Sequence, residues 1–249
     1  MAPRSEDSEP RRRFRPTLWL TLCTLGALAI LIALGIWQLQ RLDWKNAMIA
    51  ERQGRLSATP IAIPANFDDP AEFQFRRVEV AGRFLHDREL YLGGRVHKRV
   101  VGFHVVTPLL LDDGRALLVD RGWVPPERRD PASRADGQVE GRVVLEAVLR
   151  TGGWKGRAFL RPDNDAVQNH WIWLDLPAMA EAAGIERPVL EFYAVAAPVE
   201  VPGGLPIALA TEVDLRNDHL QYALTWFALA VALIVIYVLV SLRRPPAPG

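Results

Sequence analysis

Two uncharged segments limit what this chain can fold into. Residues 16–40 and 219–242 contain no Asp, Glu, Lys or Arg, although 24% of the 249-residue chain is charged. Each run matches the roughly 20 apolar residues that a helix needs to cross a bilayer. Residues 41–218, between the runs, carry 23 basic and 26 acidic residues, which is typical of a domain in water. The pattern excludes an ordinary soluble enzyme and predicts two transmembrane helices around a folded domain.

Two spans form a hairpin, so both chain ends are expected on one side of the membrane. Residues 1–15 include five Arg and three acidic residues, and Arg243 and Arg244 follow the second run. Basic residues next to spans favour the cytoplasm, whereas charges in a long translocated domain count for little. A cleaved signal peptide is the alternative for the first run, but Gly35 is followed by Ile-Trp-Gln-Leu-Gln-Arg rather than a small-residue cleavage site. The predicted parts are a cytoplasmic tail 1–15, a transmembrane helix 16–40, an extracytoplasmic domain 41–218, a transmembrane helix 219–242 and a cytoplasmic tail 243–249.

After Pro60 and Pro64 the sequence alternates with a period of two residues, as in β-strands. Val78 and Val80, for example, are separated by a charged residue. The strand candidates are 76–85, 89–95, 100–111, 115–124, 142–149, 171–176 and 189–201. A short helix is predicted at 177–183, and 125–140 is predicted to be an exposed loop. The fold class is therefore α+β: two transmembrane helices in a hairpin flank a mainly antiparallel β domain with a small helix.

The domain lacks the residue patterns of common enzymes. The one cysteine, Cys23, lies in the first apolar run, so 41–218 has neither a disulfide nor a Cys-ligated metal. Ser57 and Ser133 are its only serines, and neither lies in a G-x-S-x-G motif. Phosphate-loop and dinucleotide fingerprints are missing from the sequence, as is a basic stripe for nucleic acid. These observations predict a protein that is not an enzyme and does not bind nucleic acid.

His219 is a candidate ligand because of its position at the edge of the second apolar run. His219, Tyr222 and Trp226 have spacings of three and four residues, which place them on one helical face. A neutral imidazole can bind haem iron, and aromatic neighbours suit a porphyrin plane. The alternative is a histidine at the membrane rim that bonds water or Asn217.

A second helical face lies just beyond the first apolar run. Trp37, Arg41, Trp44 and Lys45 follow helical spacing. The basic side chains could meet lipid phosphates while the tryptophan rings lie at headgroup depth. The alternative is a contact face for a membrane partner, and spacing alone favours the interfacial anchor.

Short motifs also occur in a fixed order over about residues 30–240. They are Gly35-Ile36-Trp37-Gln38-Leu39-Gln40-Arg41 with Trp44-Lys45, Arg77-Val78-Glu79-Val80, Gly102-Phe103-His104-Val105, Val119-Asp120-Arg121-Gly122-Trp123-Val124-Pro125, Phe159 with Pro162-Asp163-Asn164 and Trp173, and Asn217-Asp218-His219-Leu220-Gln221-Tyr222-Ala223. Together they resemble the Surfeit-locus (Shy-type) cytochrome c oxidase assembly factors. Asp120 stands where that family more often has Asn.

The resemblance implies a membrane factor that assists haem a delivery or insertion into subunit I of haem–copper cytochrome c oxidase. Its expected partners are that subunit, the haem a synthesis or assembly proteins and the lipid bilayer. His219 corresponds to a family position implicated in haem a binding, while Gln38 joins the contact residues Trp37, Arg41, Trp44 and Lys45. The alternative is a scaffold that stabilises an oxidase intermediate without touching haem. The short, partly acidic start of the chain favours a bacterial inner membrane over a mitochondrial location.

Arg121, Gly122 and Trp123 have two interpretations. Arg121 could hold a haem propionate and Trp123 could pack on the ring, with glycine permitting a positive φ between them. The alternative, which general experience of buried Arg and Trp favours, is a structural motif of an edge strand.

Overall fold

The computed structural model describes residues 13–14, 16–67, 69–210 and 217–243, so the predicted tails 1–15 and 243–249 lie almost entirely outside it. The chain forms two compact units, residues 1–50 with 214–249 and residues 51–213. In chain order the α-helices are α1 Leu18–Ser57, α2 Pro70–Phe73, α3 Leu176–Ala182 and α4 His219–Ser241. The strands are β1 Arg13–Phe14, β2 Ile61–Ala62, β3 Arg77–Phe84, β4 Leu90–His97, β5 Val100–Leu111, β6 Ala116–Val124, β7 Arg142–Arg150, β8 Tyr193–Ala196 and β9 Leu242–Arg243.

The first unit contains the antiparallel helix pair formed by α1 and α4. Both helices are long and apolar enough to cross a membrane. The Thr21 hydroxyl is 2.8 Å from that of Tyr237, near the end of the pair where β1 pairs with β9. The predicted helical hairpin is confirmed. As expected, α1 continues past residue 40, and it ends at Ser57 because Pro60 follows shortly afterwards.

The second unit is built on a seven-stranded sheet in the order β2-β3-β7-β8-β6-β5-β4. Most pairings are antiparallel, whereas β2–β3 and β6–β8 are parallel. Val78 and Val80 are buried while Glu79 is exposed, as period-two alternation predicts. These valines pack with Leu109, Leu117 and Phe192 in the main core. The α+β prediction is therefore confirmed.

The position of β6 in the sheet contradicts the prediction that Arg121, Gly122 and Trp123 lie in an edge strand. It lies between β5 and β8, and every residue of Ala116–Val124 is buried. A strand covered on both faces reads as a continuous apolar run rather than an alternating one. The edge-strand interpretation is wrong, because this motif lies inside the sheet.

Three loop regions also differ from the prediction. Residues 171–176 do not form a strand, because the Asn164 side chain binds the backbone of Ile172 and Trp173, and the segment then enters α3. Within 189–201, β8 covers only Tyr193–Ala196. Residues 125–140 are predicted to be an exposed loop, but they contain 3-10 turns. Arg134, within these turns, is buried.

Candidate functional site

His219 is the first residue of α4, and it bonds to α1. Its Nδ1 lies 2.7 Å from Oε1 of Gln38, which is only 8% exposed. The amide oxygen of Gln38 can only accept, so Nδ1 carries the proton and donates it. The hydrogen bond of one ring nitrogen determines which nitrogen remains free for a metal. In the neutral imidazole this bond leaves the lone pair on Nε2, the nitrogen that could then bind iron.

Tyr222 and Trp226 share the helical face of His219, as predicted. The Tyr222 side chain is exposed, and that of Trp226 is half-buried. The indole Nε1 of Trp226 is buried and has no hydrogen-bond partner within the described ranges. A buried N–H without an acceptor is uncommon, because its desolvation is not compensated. The face thus provides an imidazole whose Nε2 is not used in the bond to Gln38, an exposed aromatic ring and a half-buried indole.

Close packing holds the helices together next to His219. A Cβ on Gly35 would lie 2.6 Å from the Phe227 ring, so only glycine allows this approach. Beyond His219, the Asn217 amide donates to Oδ1 of Asn46 at 2.8 Å. Small residues that let helices approach, joined by single polar bonds, are typical of helix pairs in membranes. These contacts fix Gln38 opposite His219.

The predicted contact residues at the end of the first apolar run have two kinds of environment. Trp37, Arg41 and Trp44 are exposed, and the Arg41 guanidinium lies 4.4 Å from the centre of the Trp44 ring. Lys45 is half-buried. Gln38, by contrast, is buried against His219 rather than exposed with the others. The contact role of this face stays a prediction.

Arg121 lies in the β domain at an irregularity of the sheet. Val105 pairs with Gly122 and Val106 pairs with Asp120, so Arg121 is the extra residue of a β-bulge. Bulges redirect side chains. The Arg121 guanidinium donates to the Gly137 carbonyl at 2.5 Å and lies 3.5 Å from Oε1 of Glu89. The strand irregularity therefore places a buried cation beside a buried carboxylate.

Glu89 is the centre of a buried ion cluster with Arg134, Arg121 and His86. Glu89 and Arg134 side chains are each 1% exposed, and two bonds of 2.5 and 3.2 Å join them. His86 lies 3.7 Å from Oε1 of Glu89 and bonds the Val139 carbonyl at 3.0 Å. Two guanidiniums face one carboxylate, so the cluster has a surplus positive charge.

Burial and charge shift the pKa values in this cluster in opposite directions. Burial alone would raise the pKa of the Glu89 carboxyl, but the nearby His86, the hydrogen bonds from Arg134 and the two guanidinium charges outweigh it. The pKa of Glu89 is therefore below its ordinary value. Burial lowers the pKa of Arg121 to about 10, and burial with the Glu89 charge raises that of Tyr91 to about 12. At neutral pH the Glu89 carboxylate and the Arg121 guanidinium therefore remain ionised.

Gly122 has a backbone conformation that few other residues tolerate. Its φ is +123°, which confirms the predicted positive φ. A Cβ at this position would collide with the carbonyl of Ile207, because residue 207 pairs with Trp123. Asp120 completes the turn, since Oδ1 accepts the Gly122 N–H at 3.0 Å. The other Asp120 oxygen accepts from His104 of β5 at 2.8 Å, so this side-chain pair joins the two neighbouring strands.

Arg121 and Trp123 have different neighbours. Trp123 donates to the Arg95 carbonyl at 3.1 Å, and its ring centre is 5.3 Å from that of His97. Arg121 lines a groove of about 450 Å³ that is mostly apolar. The apolar side chains of the groove include Phe84, Val143, Leu145, Ala196, Val201 and Pro202. This groove suits an apolar body, and its charged lining residues are Arg121 and the two acids Glu146 and Glu200.

Sequence patterns do not reveal Glu89 and Arg134. Glu89 directly precedes a strand of buried residues, and Arg134 lies in a polar, Pro-rich segment. Neither position has a motif, and 45 residues separate them. The one available signal is an acidic residue at the start of an apolar run, which does not identify its partner. No group of three or more potential metal ligands occurs among the described residues.

The helix pair and the β domain define the class of the protein. It is a membrane protein in which two apolar helices bracket a folded β-sheet domain. The model of the SURF1 family matches residues 25–231. The chain belongs to the SURF1 family.

Relatives in animals and in a choanoflagellate have similar sequences along most of their length. A SURF1-like protein of Monosiga brevicollis is 35% identical over 241 residues, which cover 89% of this chain and 90% of that protein. Surfeit locus protein 1 of Mus musculus is 37% identical, covering 88% of this chain and 74% of that protein. The Homo sapiens protein of the same name is 38% identical, covering 86% and 74%.

Proposed function

We propose that this protein is a membrane assembly factor for haem–copper cytochrome c oxidase that assists delivery or insertion of haem a into subunit I. Family membership supports the assembly role, and the two apolar helices support a place in the membrane. The main structural support for a role in haem a delivery is the hydrogen bond between His219 and Gln38. Haem a is the cargo in this proposal, not a resident cofactor.

The residues at the start of α4 suit a haem. His219 would hold the iron through Nε2, because Gln38 fixes the proton on Nδ1. The exposed Tyr222 ring offers an apolar surface to the macrocycle. The half-buried Trp226 ring lies one turn further along the same helical face. A single axial imidazole also allows release, which a carrier requires.

The role is binding and positioning, so no catalytic turnover is expected. The proposed partners are oxidase subunit I, the haem a synthesis or assembly proteins and the bilayer. The proposed location is a bacterial inner membrane, with both termini in the cytoplasm and the central domain in the periplasm. The antiparallel helix pair supports placing both termini on one side.

Arg121 is a secondary candidate for haem contact, through a propionate, and Trp123 is a weaker one. The surplus positive charge beside the apolar groove supports Arg121. However, its guanidinium already bonds Gly137 and faces Glu89, which favours a structural role. Trp123 lies against Arg95 and His97 instead of the groove.

Replacing His219 in cells tests the haem step. The chain is expressed in a haem-a-making bacterium whose own copy of this factor has been deleted. We expect His219→Ala to leave the protein in the membrane but to lower haem a per subunit I in reduced-minus-oxidised spectra. His170→Ala, an exposed histidine of the β domain, is the matched control and should restore haem a fully.

The same experiment separates the haem carrier from the scaffold. If His219→Ala restores haem a as well as the unchanged protein does, the scaffold interpretation holds and the haem step is wrong. Immunoblots of both variants establish that protein amounts are equal.

A further inference from the structure

A second candidate membrane contact lies in the β domain, far along the sequence from the two apolar runs. Residues 154–161, Trp-Lys-Gly-Arg-Ala-Phe-Leu-Arg, contain three basic residues and no acidic residue. We call this segment the basic-aromatic loop. It follows β7 and includes a 3-10 turn over Ala158–Leu160.

The loop presents large apolar side chains to solvent. Phe159 is 77% exposed and Leu160 is 63% exposed. Among the described residues of 51–213, Phe159 is the aromatic side chain with the largest exposed fraction. Large apolar groups that protrude together from a folded domain usually mark a surface that is covered in use.

Local contacts hold the loop in this shape. The Trp154 indole donates to the Arg157 carbonyl at 2.9 Å. A Cβ on Gly156 would lie 2.6 Å from the Trp154 ring, so the ring packs directly over a glycine backbone. The Lys155 ammonium donates to the Gly152 carbonyl at 3.0 Å. These bonds stabilise the turn in which Phe159 and Leu160 are exposed.

The basic charges of the loop are not neutralised within the described part of the domain. No salt bridge joins Lys155, Arg157 or Arg161 to a carboxylate among the residues described. Asp165 and Asp175 accept backbone N–H groups of Gln168 and Ala178 respectively, and the exposed Asp163 follows Arg161 two positions along the chain. The loop therefore presents an apolar tip with a cationic rim.

We infer that the basic-aromatic loop dips into the headgroup layer of an anionic bilayer. Exposed aromatic and aliphatic side chains beside Lys and Arg are the composition of interfacial membrane contacts. Anionic lipids attract such basic groups near the surface. The domain is covalently joined at both ends to helices that can span a membrane, so a bilayer is present at high effective concentration. This contact is independent of haem binding by His219.

Fluorescent labelling of the full chain in lipid nanodiscs tests the inference. Cys23→Ala removes the one cysteine, and Ala158→Cys or Val167→Cys introduces a label site on an exposed residue. Val167 lies outside the loop and is the matched control. In nanodiscs with anionic lipid we expect a blue-shifted emission and reduced quenching by aqueous iodide at position 158, and neither effect at 167.

Variants of the loop separate its apolar and charged parts. Phe159→Ser with Leu160→Ser should abolish the blue shift at 158 without changing thermal unfolding, because both side chains are exposed. Neutralising Lys155, Arg157 and Arg161 to Gln should remove the dependence on anionic lipid. Each basic charge contributes about fivefold to such partitioning.

Three results would overturn the inference. One is an equal, water-like signal from positions 158 and 167 in anionic nanodiscs. Another is an equal shift in neutral and anionic lipid, which would contradict the charge-based assignment. The third is shielding of position 158 only after purified oxidase is added, which would assign the loop to a protein partner.

Discussion

The helix pair and the β domain bury polar groups in different ways. In the helix pair, three described polar contacts are single bonds at separate places: His219 to Gln38, Thr21 to Tyr237, and Asn217 to Asn46. In the β domain, Glu89 instead joins Arg134, Arg121 and His86 in one ionic cluster. Single bonds between membrane helices average about 0.6 kcal/mol, whereas removing one partner of a buried ion pair costs about 3–5 kcal/mol. A change in an isolated polar pair on ligand binding should therefore cost the fold little stability, whereas disruption of the ion cluster should cost much more.

The largest effect is expected at Gly122, where the β6 backbone leaves no room for a side chain. Gly122→Ala combines a positive φ with a collision against the Ile207 carbonyl, and Gly122→Glu adds a buried charge. We expect Gly122→Glu to lower the free energy of unfolding by about 4 kcal/mol or more. Hydrogen exchange of β5 and β6 amides in the detergent-solubilised chain measures the change.

Gly141→Ala is the control for Gly122→Ala. Gly141 also has a positive φ, +82°, but a Cβ placed on it would have no atom within 4 Å. The glycine at 141 should therefore cost only about 1 kcal/mol to replace. Equal losses for the two alanine variants would show that the approach of Ile207 is unimportant.

Breaking the buried cluster should have the next largest effect. Arg134→Met leaves the Glu89 carboxylate without its bidentate partner, so we expect a loss of about 3–5 kcal/mol in β-domain stability. Arg142→Met, which removes an exposed pair with Asp112, should change stability little. Urea unfolding followed by hydrogen exchange measures both variants. Similar small losses would refute the contrast between the two pairs.

The low pKa of Glu89 predicts acid sensitivity of the β domain. Because the folded pKa is below the ordinary value of 4.5, the ionised carboxylate stabilises the fold above that pH. The stabilisation is lost as pH falls through the folded pKa. Glu89→Gln should lower stability at neutral pH and flatten its decline below about pH 4.5. An unchanged pH profile of amide exchange in this variant would contradict the role of Glu89.

Removing Gln38 should affect haem more than the fold. Gln38→Ala deletes one bond between the helices, so we expect at most about 1 kcal/mol of lost stability. It also frees the orientation and tautomer of His219, and loss of such a supporting contact typically lowers metal affinity 10- to 100-fold. Titration of the purified chain with haem a measures the affinity. A large stability loss with unchanged affinity would assign Gln38 to packing alone.

The smallest effect on folding is expected at Trp37. Its exposed ring beside the end of the first apolar run should anchor the helix at the lipid interface or contact a partner. Trp37→Ala should weaken membrane placement or oxidase assembly while leaving β-domain hydrogen exchange unchanged. Degradation of an unfolded variant would contradict this separation.

Much of the fold follows from sequence periodicity, whereas the ion cluster does not. The apolar runs predict α1 and α4. The β5 strand matches its predicted range of 100–111, because valine and leucine predominate in it and the turn residues Asp112-Asp113-Gly114 follow it. The strand predicted at 171–176 is wrong, since the bonds of this segment to the Asn164 side chain depend on tertiary contacts. Local patterns do not contain that information.

The candidate site can be predicted in part. Position at the start of an apolar run and helical spacing identify His219 with Tyr222 and Trp226. The bond to Gln38 joins residues 181 positions apart, and spacing within one helix cannot reveal it. The same limit applies to Glu89 and Arg134, which meet only because the sheet and the 3-10 turns bring them together.

Direct titration of the full chain with haem a tests the central claim most directly. The chain is reconstituted in nanodiscs, and visible absorbance gives the stoichiometry and the spectrum of the bound haem. We predict one haem a per protein with an imidazole-ligated spectrum, lost in His219→Ala and retained in His170→Ala, with unchanged β-domain exchange in both. Absence of binding by the unchanged protein, or an identical spectrum and affinity in His219→Ala, would contradict the account.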